Sequence, residues 1–143
     1  MKNHGFIRTA AAVPVVKVAD VAHNVEQICR LAGEAAEKEA SLVVFPELSL
    51  TGATCGDLFG NSMLIKAAEK GVKQIAEFSR GKDITIVVGA PVKYANCLYN
   101  TSVIINNGIV KGIVPKVFVT QTENKWFTSG ANAPSEVISY AGD

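Results

Sequence analysis

Two segments of the chain repeat apolar residues at intervals of three and four, which is the spacing of one face of an α-helix. In residues 21–40 the repeated positions are Val21, Val25, Ile28, Ala32 and Ala35. In residues 62–79 they are Leu64, Ala68, Val72, Ile75 and Ala76. Asp20 is placed to cap the start of the first segment, and Asn61 or Ser62 the start of the second. Gly81 is placed to end the second segment, so the pattern predicts two amphipathic helices.

Five other apolar segments lack helical spacing and are predicted to be strands: residues 6–13, 42–45, 84–90, 98–105 and 109–114. Two of them, 42–45 and 84–90, show no polar alternation, as is typical of strands buried on both faces. Between the last two strands, the run Asn106-Asn107-Gly108 favours a tight hairpin turn with positive φ. After Pro115 the pattern ends, and a loop with one or two short elements is predicted.

The order strand, helix, strand, helix, strand and hairpin indicates an α/β layered architecture. The two helices need a sheet to cover their apolar faces. The other face of that sheet must also be covered, because its central strands are apolar throughout. A second sheet is one candidate for that cover.

A carboxylate and a lysine occupy equivalent places at two strand ends. Glu47 follows Pro46 after the strand 42–45, and Lys116 follows Pro115 after the strand 109–114. Each proline stiffens the backbone before the charged residue. Ligand sites of α/β sheets lie beyond the carboxyl ends of strands. If these strands are neighbours, the two charges face one pocket; the alternative is a weak ion pair of solvated surface residues.

Composition narrows the function classes. The chain has 143 residues, 48% of them hydrophobic, with 14 basic and 13 acidic residues. A nucleic-acid partner is therefore not expected, and no apolar run approaches the ~20 residues that a membrane helix needs. Three widely spaced cysteines indicate reduced thiols in a cytoplasmic protein. The chain contains no CxxC pattern, so we expect no metal site.

The stretch FPELSLTGATCGDLF, residues 45–59, resembles the signature of the nitrilase-type glutaminase domain of bacterial glutamine-dependent NAD synthetases. The segments IVVGAPV, LYNTSVIINNG, GIVPK and KWFTSG resemble later parts of that family in the same order. The resemblance implies an α/β (α+β) fold, a four-layer α-β-β-α sandwich of the carbon-nitrogen hydrolase type, incomplete at its C-terminal side. Residues 1–143 then form a partial nitrilase-like glutamine amidotransferase domain, and the synthetase domain is absent.

The resemblance also implies a Glu–Lys–Cys mechanism. Glu47 matches the general base, Lys116 matches the lysine that stabilises the oxyanion, and Glu123 matches a second, supporting glutamate. The family's nucleophilic cysteine lies on a later strand, beyond residue 143. Cys55 belongs to the signature without being its nucleophile, and neither of the other cysteines replaces the missing thiol.

The implied substrate is a small amide such as glutamine, whose ammonia would serve ATP-dependent NAD(+) synthesis. No cofactor is expected in this chain, because ATP and magnesium belong to the synthetase domain. Two departures weaken the substrate inference: Ala53 replaces a tyrosine of the family, and the segment after Lys116 is shorter. The alternatives are a non-catalytic binding or assembly module of the same fold, and an amidase with another substrate. Exposed apolar sheet surface predicts a homo-oligomer.

Overall fold

A computed structural model describes residues 5–142 of the chain and contains one five-stranded sheet in the order β1-β2-β3-β4-β5. The strands are β1 Thr9–Ala11, β2 Leu42–Val44, β3 Thr85–Tyr94, β4 Cys97–Asn106 and β5 Ile109–Pro115. The helices are α1 Val21–Glu37, between β1 and β2, and α2 Ser62–Ser79, between β2 and β3. The pairs β1–β2 and β2–β3 are parallel, whereas β3–β4 and β4–β5 are antiparallel. The predicted α/β class is confirmed.

The helix ends follow the capping chemistry that the sequence predicts. The Asp20 side chain accepts the backbone N–H of residue 23 at the start of α1, and the Asn61 side chain accepts that of residue 63 at the start of α2. Gly81, with φ +72°, follows Arg80, the C-cap residue of α2. The predicted first helix is three residues too long, because Glu39 adopts φ +60° and Ala40 bonds back to the carbonyl of residue 35.

Two tight hairpins join the last three strands. Asn107 and Gly108 both have positive φ, at 47° and 84°, which confirms the primed turn predicted between β4 and β5. The turn between β3 and β4 has the same character, with φ 46° at Ala95 and 64° at Asn96. That turn was not expected from the sequence, and the predicted third strand ended four residues early.

The two faces of the sheet differ in what covers them. Helix α2 packs on β3 and β4, and α1 packs on α2. Beneath these helices the paired residues Ile86 and Ile105 are fully buried, as are Val88 and Val103. The opposite face carries Val44, Val87, Ile104 and Val114, and we call these four residues the open face.

The open face is apolar and partly exposed, so it is a sheet face that still needs a cover. Val44 is 42% exposed and Val114 is 56% exposed. Residues 5–142 build one helix layer and one sheet layer, so the second sheet expected from the sequence is not formed by this part of the chain. Among the described helices, neither is both long and apolar enough to cross a membrane.

Candidate active site

A tight turn after β2 places Glu47 beyond the end of the sheet. The Ser49 N–H donates to the Pro46 carbonyl at 3.2 Å, and the Gly52 N–H donates to the Leu48 carbonyl at 2.8 Å. Leu48 has φ +51°, an unusual value for a residue with a side chain, yet its side chain is buried. The burial of Leu48 and these hydrogen bonds hold the strained turn in place, so the backbone fixes where the Glu47 side chain starts.

Gly89 of β3 makes this turn possible. A Cβ at this position would lie 2.2 Å from the Leu48 nitrogen and 2.6 Å from the Pro46 oxygen, so only glycine fits. The Leu50 N–H donates to the Gly89 carbonyl at 3.1 Å, and the Ser49 hydroxyl accepts the Gly89 N–H at 3.2 Å. The turn therefore passes directly over β3. A glycine within an apolar strand is the sequence signal for such a close approach.

Lys116 is held at the end of β5 from two sides. Its backbone N–H donates to the Asn100 carbonyl of β4 at 2.8 Å, and its carbonyl accepts the Gly130 N–H at 2.7 Å. A Cβ at position 130 would lie 2.6 Å from the Pro115 oxygen. The segment that carries Gly130 thus packs against the backbone of the lysine and fixes where its side chain starts.

The structure brings together the three side chains that the sequence singled out. The Lys116 Nζ lies 2.8 Å from Glu47 Oε1, and 2.8 Å and 3.1 Å from the two carboxylate oxygens of Glu123. Strands β2 and β5 are not neighbours, since β3 and β4 lie between them. Three strand spacings amount to ~14 Å. The charges meet because the turn after β2 crosses β3 and because both side chains are long.

Glu123 is fixed by its own local turn. Its Oε2 accepts the Thr120 N–H at 2.9 Å, while its N–H donates to the Thr120 hydroxyl at 3.3 Å. This reciprocal pair has the form of a capping box and lies just before the short 3-10 turn Glu123–Lys125, whose N-cap residue is Thr122. Further along, the buried ring of Phe127 packs edge-on against Phe59, with centroids 4.8 Å apart. That contact ties the loop after Lys116 to the end of the FPELSLTGATCGDLF segment.

Asn100 also belongs to the cluster, although it was not predicted from the sequence. It is 3% exposed within β4, and its Nδ2 donates to Glu47 Oε1 and, at 3.4 Å, to Glu123 Oε1. An asparagine inside the buried strand LYNTSVII was the available signal, because a buried amide requires hydrogen-bond partners.

The electrostatics of the cluster follow from one ammonium group between two carboxylates. Hydrogen bonds to Glu123 and then to Glu47 raise the pKa of Lys116 above its usual value. The hydrogen bond from Lys116 lowers the pKa of Glu123 from 4.5 to about 2. The two carboxylates outnumber the single ammonium group, so the cluster has a net negative charge. Its most exposed side chain is Glu47, at 49%, compared with 31% for Lys116 and 21% for Glu123. Glu47 is therefore the carboxylate of the cluster that solvent reaches most easily.

The three cysteines lie away from this chemistry and are all free thiols. Burial raises the pKa of Cys29 to about 11, and burial likewise raises that of Cys55. The Cys55 thiol donates to the Thr51 carbonyl at 3.1 Å, a packing role. In residues 5–142 we find no hydrogen bond between a thiol and the charged cluster, and no group of three acidic, histidine or cysteine residues that could hold a metal ion.

Comparison with known proteins identifies the family. A model of the carbon-nitrogen hydrolase family matches residues 8–140. A glutamine-dependent NAD(+) synthetase of Mycobacterium leprae (strain TN) is 34% identical over 117 residues, which cover 82% of this chain and 17% of that relative. The crystal structure of a glutamine-dependent NAD(+) synthetase from Cytophaga hutchinsonii superposes with a TM-score of 0.81 and 32% identity, covering 86% of this chain and 22% of that one.

A third comparison concerns the fold alone. The structure is that of a mutant amidase from Nesterenkonia sp. AN1, with covalent addition of the acetamide moiety of fluoroacetamide at the active-site cysteine. It matches with a TM-score of 0.75 and 23% identity, covering 95% of this chain and 52% of that one.

This chain spans only a minor part of the two synthetases that it matches. Since the family model covers nearly its whole length, the chain belongs to the carbon-nitrogen hydrolase family.

Proposed function

We propose that this chain is the front part of a glutamine-hydrolysing amide hydrolase domain, with Glu47, Lys116 and Glu123 as its functional residues. The observation that carries the proposal is the contact of Lys116 Nζ with both carboxylates, at 2.8 Å each. A base beside a fixed cation is what thiol-mediated amide cleavage needs. The identity to glutamine-dependent NAD(+) synthetases supports glutamine as the amide.

The proposed mechanism assigns one task to each group. Glu47 accepts the proton of a cysteine thiol supplied by polypeptide outside this chain, and the sulfur attacks the amide carbon. Lys116 stabilises the oxyanion that forms on the carbonyl oxygen. Glu47 then passes its proton to the nitrogen as the C–N bond breaks, so that ammonia leaves and a thioester remains for water to hydrolyse. Glu123 keeps Lys116 charged and in place.

The wider assignment follows from the same relatives. The ammonia would supply ATP-dependent NAD(+) synthesis by a synthetase domain. ATP and magnesium would bind to that domain, so this chain is proposed to need no cofactor of its own. A ligase activity and a cytoplasmic location belong to the same proposal. The three free cysteines support a reducing compartment.

The test compares this chain alone with the same chain co-expressed with the part of the Cytophaga hutchinsonii synthetase that follows the segment superposed on this chain. Ammonia release from glutamine, acetamide and propionamide is measured in both. The chain alone is expected to release none, whereas the pair releases ammonia fastest from glutamine. Glu47→Gln and Lys116→Met should each abolish the activity, and the exposed Lys125→Ala, whose side chain is 66% exposed, should not. Release by the chain alone would refute the assignment of the thiol.

A non-catalytic binding or assembly module is the second candidate, and the open face favours it. Val114 is 56% exposed on this face, and exposed apolar surface drives association. We propose that the chain forms homo-oligomers through the open face. Light scattering should then give a dimer or larger species, and Val114→Lys should shift it towards monomer, while Lys111→Glu on the same strand should not. A monomeric wild-type chain would contradict this proposal.

A further inference from the structure

We propose that Asn100 is a positioning residue of this site: its amide holds Glu47 and Glu123 on the ammonium group of Lys116 and leaves Glu47 Oε2 as the proton-accepting atom. The role of Glu47 as a base rests on the proposed function. The placement of the side chains does not, and it can be tested separately.

Hydrogen-bond donors are unevenly distributed over the four carboxylate oxygens of Glu47 and Glu123. Glu47 Oε1 and Glu123 Oε1 each accept from Lys116 Nζ and from Asn100 Nδ2. Glu123 Oε2 accepts from Lys116 Nζ at 3.1 Å and from the Thr120 N–H at 2.9 Å. Glu47 Oε2 accepts from no residue in the part of the chain that the structure describes. Only that oxygen has its lone pairs available for a proton.

The orientation of the Asn100 side-chain amide is determined by its hydrogen-bond partners. Asn100 is almost completely buried in β4, between the turn that carries Glu47 and the loop that carries Glu123. Turning the amide over would place its Oδ1 against two carboxylate oxygens, which is repulsive. The chemistry of the partners therefore fixes the NH2 group towards both glutamates. An aspartate of the same shape would add a third negative charge and lose both donors.

Asn100 adds a second hydrogen-bond donor to the ion pair of Glu47 and Lys116. The Glu47 side chain is 49% exposed, and an ion pair with so exposed a partner holds its geometry poorly. A second donor on the same oxygen restricts rotation of the carboxylate. Without Asn100, the Glu47 carboxylate would turn away from the ammonium group of Lys116 and into solvent. The base would then lose its fixed direction.

The experiment follows the titration of Lys116 through its 13Cε resonance in this chain. Asn100→Ala should lower the pKa of Lys116 by about half a pH unit, a roughly threefold change in the proton-dissociation constant, because Glu47 is released from the ammonium group. Asn100→Leu, which fills the same space without donors, should do the same. The matched control is Asn106→Ala on the same strand, whose Nδ2 bonds the Ile84 carbonyl at 3.3 Å and the Thr85 hydroxyl at 3.2 Å. The control should leave Lys116 unchanged.

A double-mutant cycle separates positioning from a packing effect. Glu47→Gln should lower the pKa of Lys116 in the wild-type background and have little further effect in Asn100→Ala. Equal effects in the two backgrounds would overturn the proposal. If neither Asn100 variant folds, the side-chain amide protons of Asn100 in the folded chain decide instead. They should exchange with solvent at least about tenfold faster in Glu47→Gln than in wild type, and equal rates would overturn the proposal.

These outcomes are independent of catalysis. A coupled titration without any amide hydrolysis by the completed domain would overturn the proposed function and keep the positioning role. Amide hydrolysis without coupling would do the reverse.

Discussion

Replacing Gly89 by alanine tests whether the backbone of β3 sets the position of Glu47. The new Cβ would lie 2.2 Å from the Leu48 nitrogen, 2.6 Å from the Pro46 oxygen and 2.7 Å from the Glu47 carbonyl carbon. All three atoms belong to the backbone of one turn, so no side-chain rotation relieves the clash. The turn must move by roughly 1 Å, and overpacking of this kind costs about 1–3 kcal/mol.

The same movement breaks hydrogen bonds at Gly89. The Leu50 N–H donates to its carbonyl at 3.1 Å, and its own N–H donates to the Ser49 hydroxyl at 3.2 Å. Each is buried, and losing each costs about 1 kcal/mol. Gly89→Ala should therefore lower the free energy of unfolding by about 3–5 kcal/mol, measured by urea denaturation followed by circular dichroism.

Gly112→Ala is the matched control, because Gly112 also lies in a strand of this sheet. A Cβ there meets only the flexible end of Ile104, at 3.6 Å, which is an ordinary contact. It should change the free energy of unfolding by less than about 0.5 kcal/mol. If Gly89→Ala matched Gly112→Ala in its urea midpoint, the reasoning about the turn would be wrong. A folded Gly89→Ala chain should also show a lower Lys116 pKa, since Glu47 moves with the turn.

Three smaller predictions concern charges and one turn. The folded-state pKa of Glu123 is depressed from 4.5 to about 2, so its ion pair stabilises the fold above about pH 4.5 and is lost as the pH falls towards 2. Glu123→Gln should reduce the change of the free energy of unfolding across that pH window by about 1 kcal/mol, measured in urea titrations. Lys125→Ala should leave the urea midpoint unchanged, because its partner Asp57 is 85% exposed. Gly108→Ala should cost about 1–2 kcal/mol in thermal unfolding, since φ is +84° there.

The sequence predicted best what local chemistry decides. The bounds of the helix Ser62–Ser79 were predicted, and its N-cap Asn61 was one of two candidates, because spacing and capping act within one segment. The Asn107-Gly108 turn was equally local. The turn at Ala95 and Asn96 was missed because alanine carries no preference for positive φ. There the pairing of β3 with β4 outweighs local preference.

The candidate site was only partly predictable, because its residues lie far apart along the chain. Proline followed by a charge marked Glu47 and Lys116, and the resemblance added Glu123. The order of the strands is a non-local property, so the sequence did not reveal that two strands separate the pair. Asn100 was overlooked because its partners are 53 and 23 residues away along the chain.

That separation explains how the fold turns an ordinary ion pair into a cluster of four side chains. An ion pair of two solvated surface residues would be worth little. Here Glu47 and Lys116 reach towards each other across the ends of β3 and β4. The sheet end beneath them supplies a buried amide from Asn100, and Glu123 adds the second carboxylate. The lysine ammonium therefore lies 2.8 Å from each of two carboxylates, which is the arrangement on which the proposed function rests. Moving either strand would separate these groups, so the strand order, more than any single residue, determines whether the cluster forms.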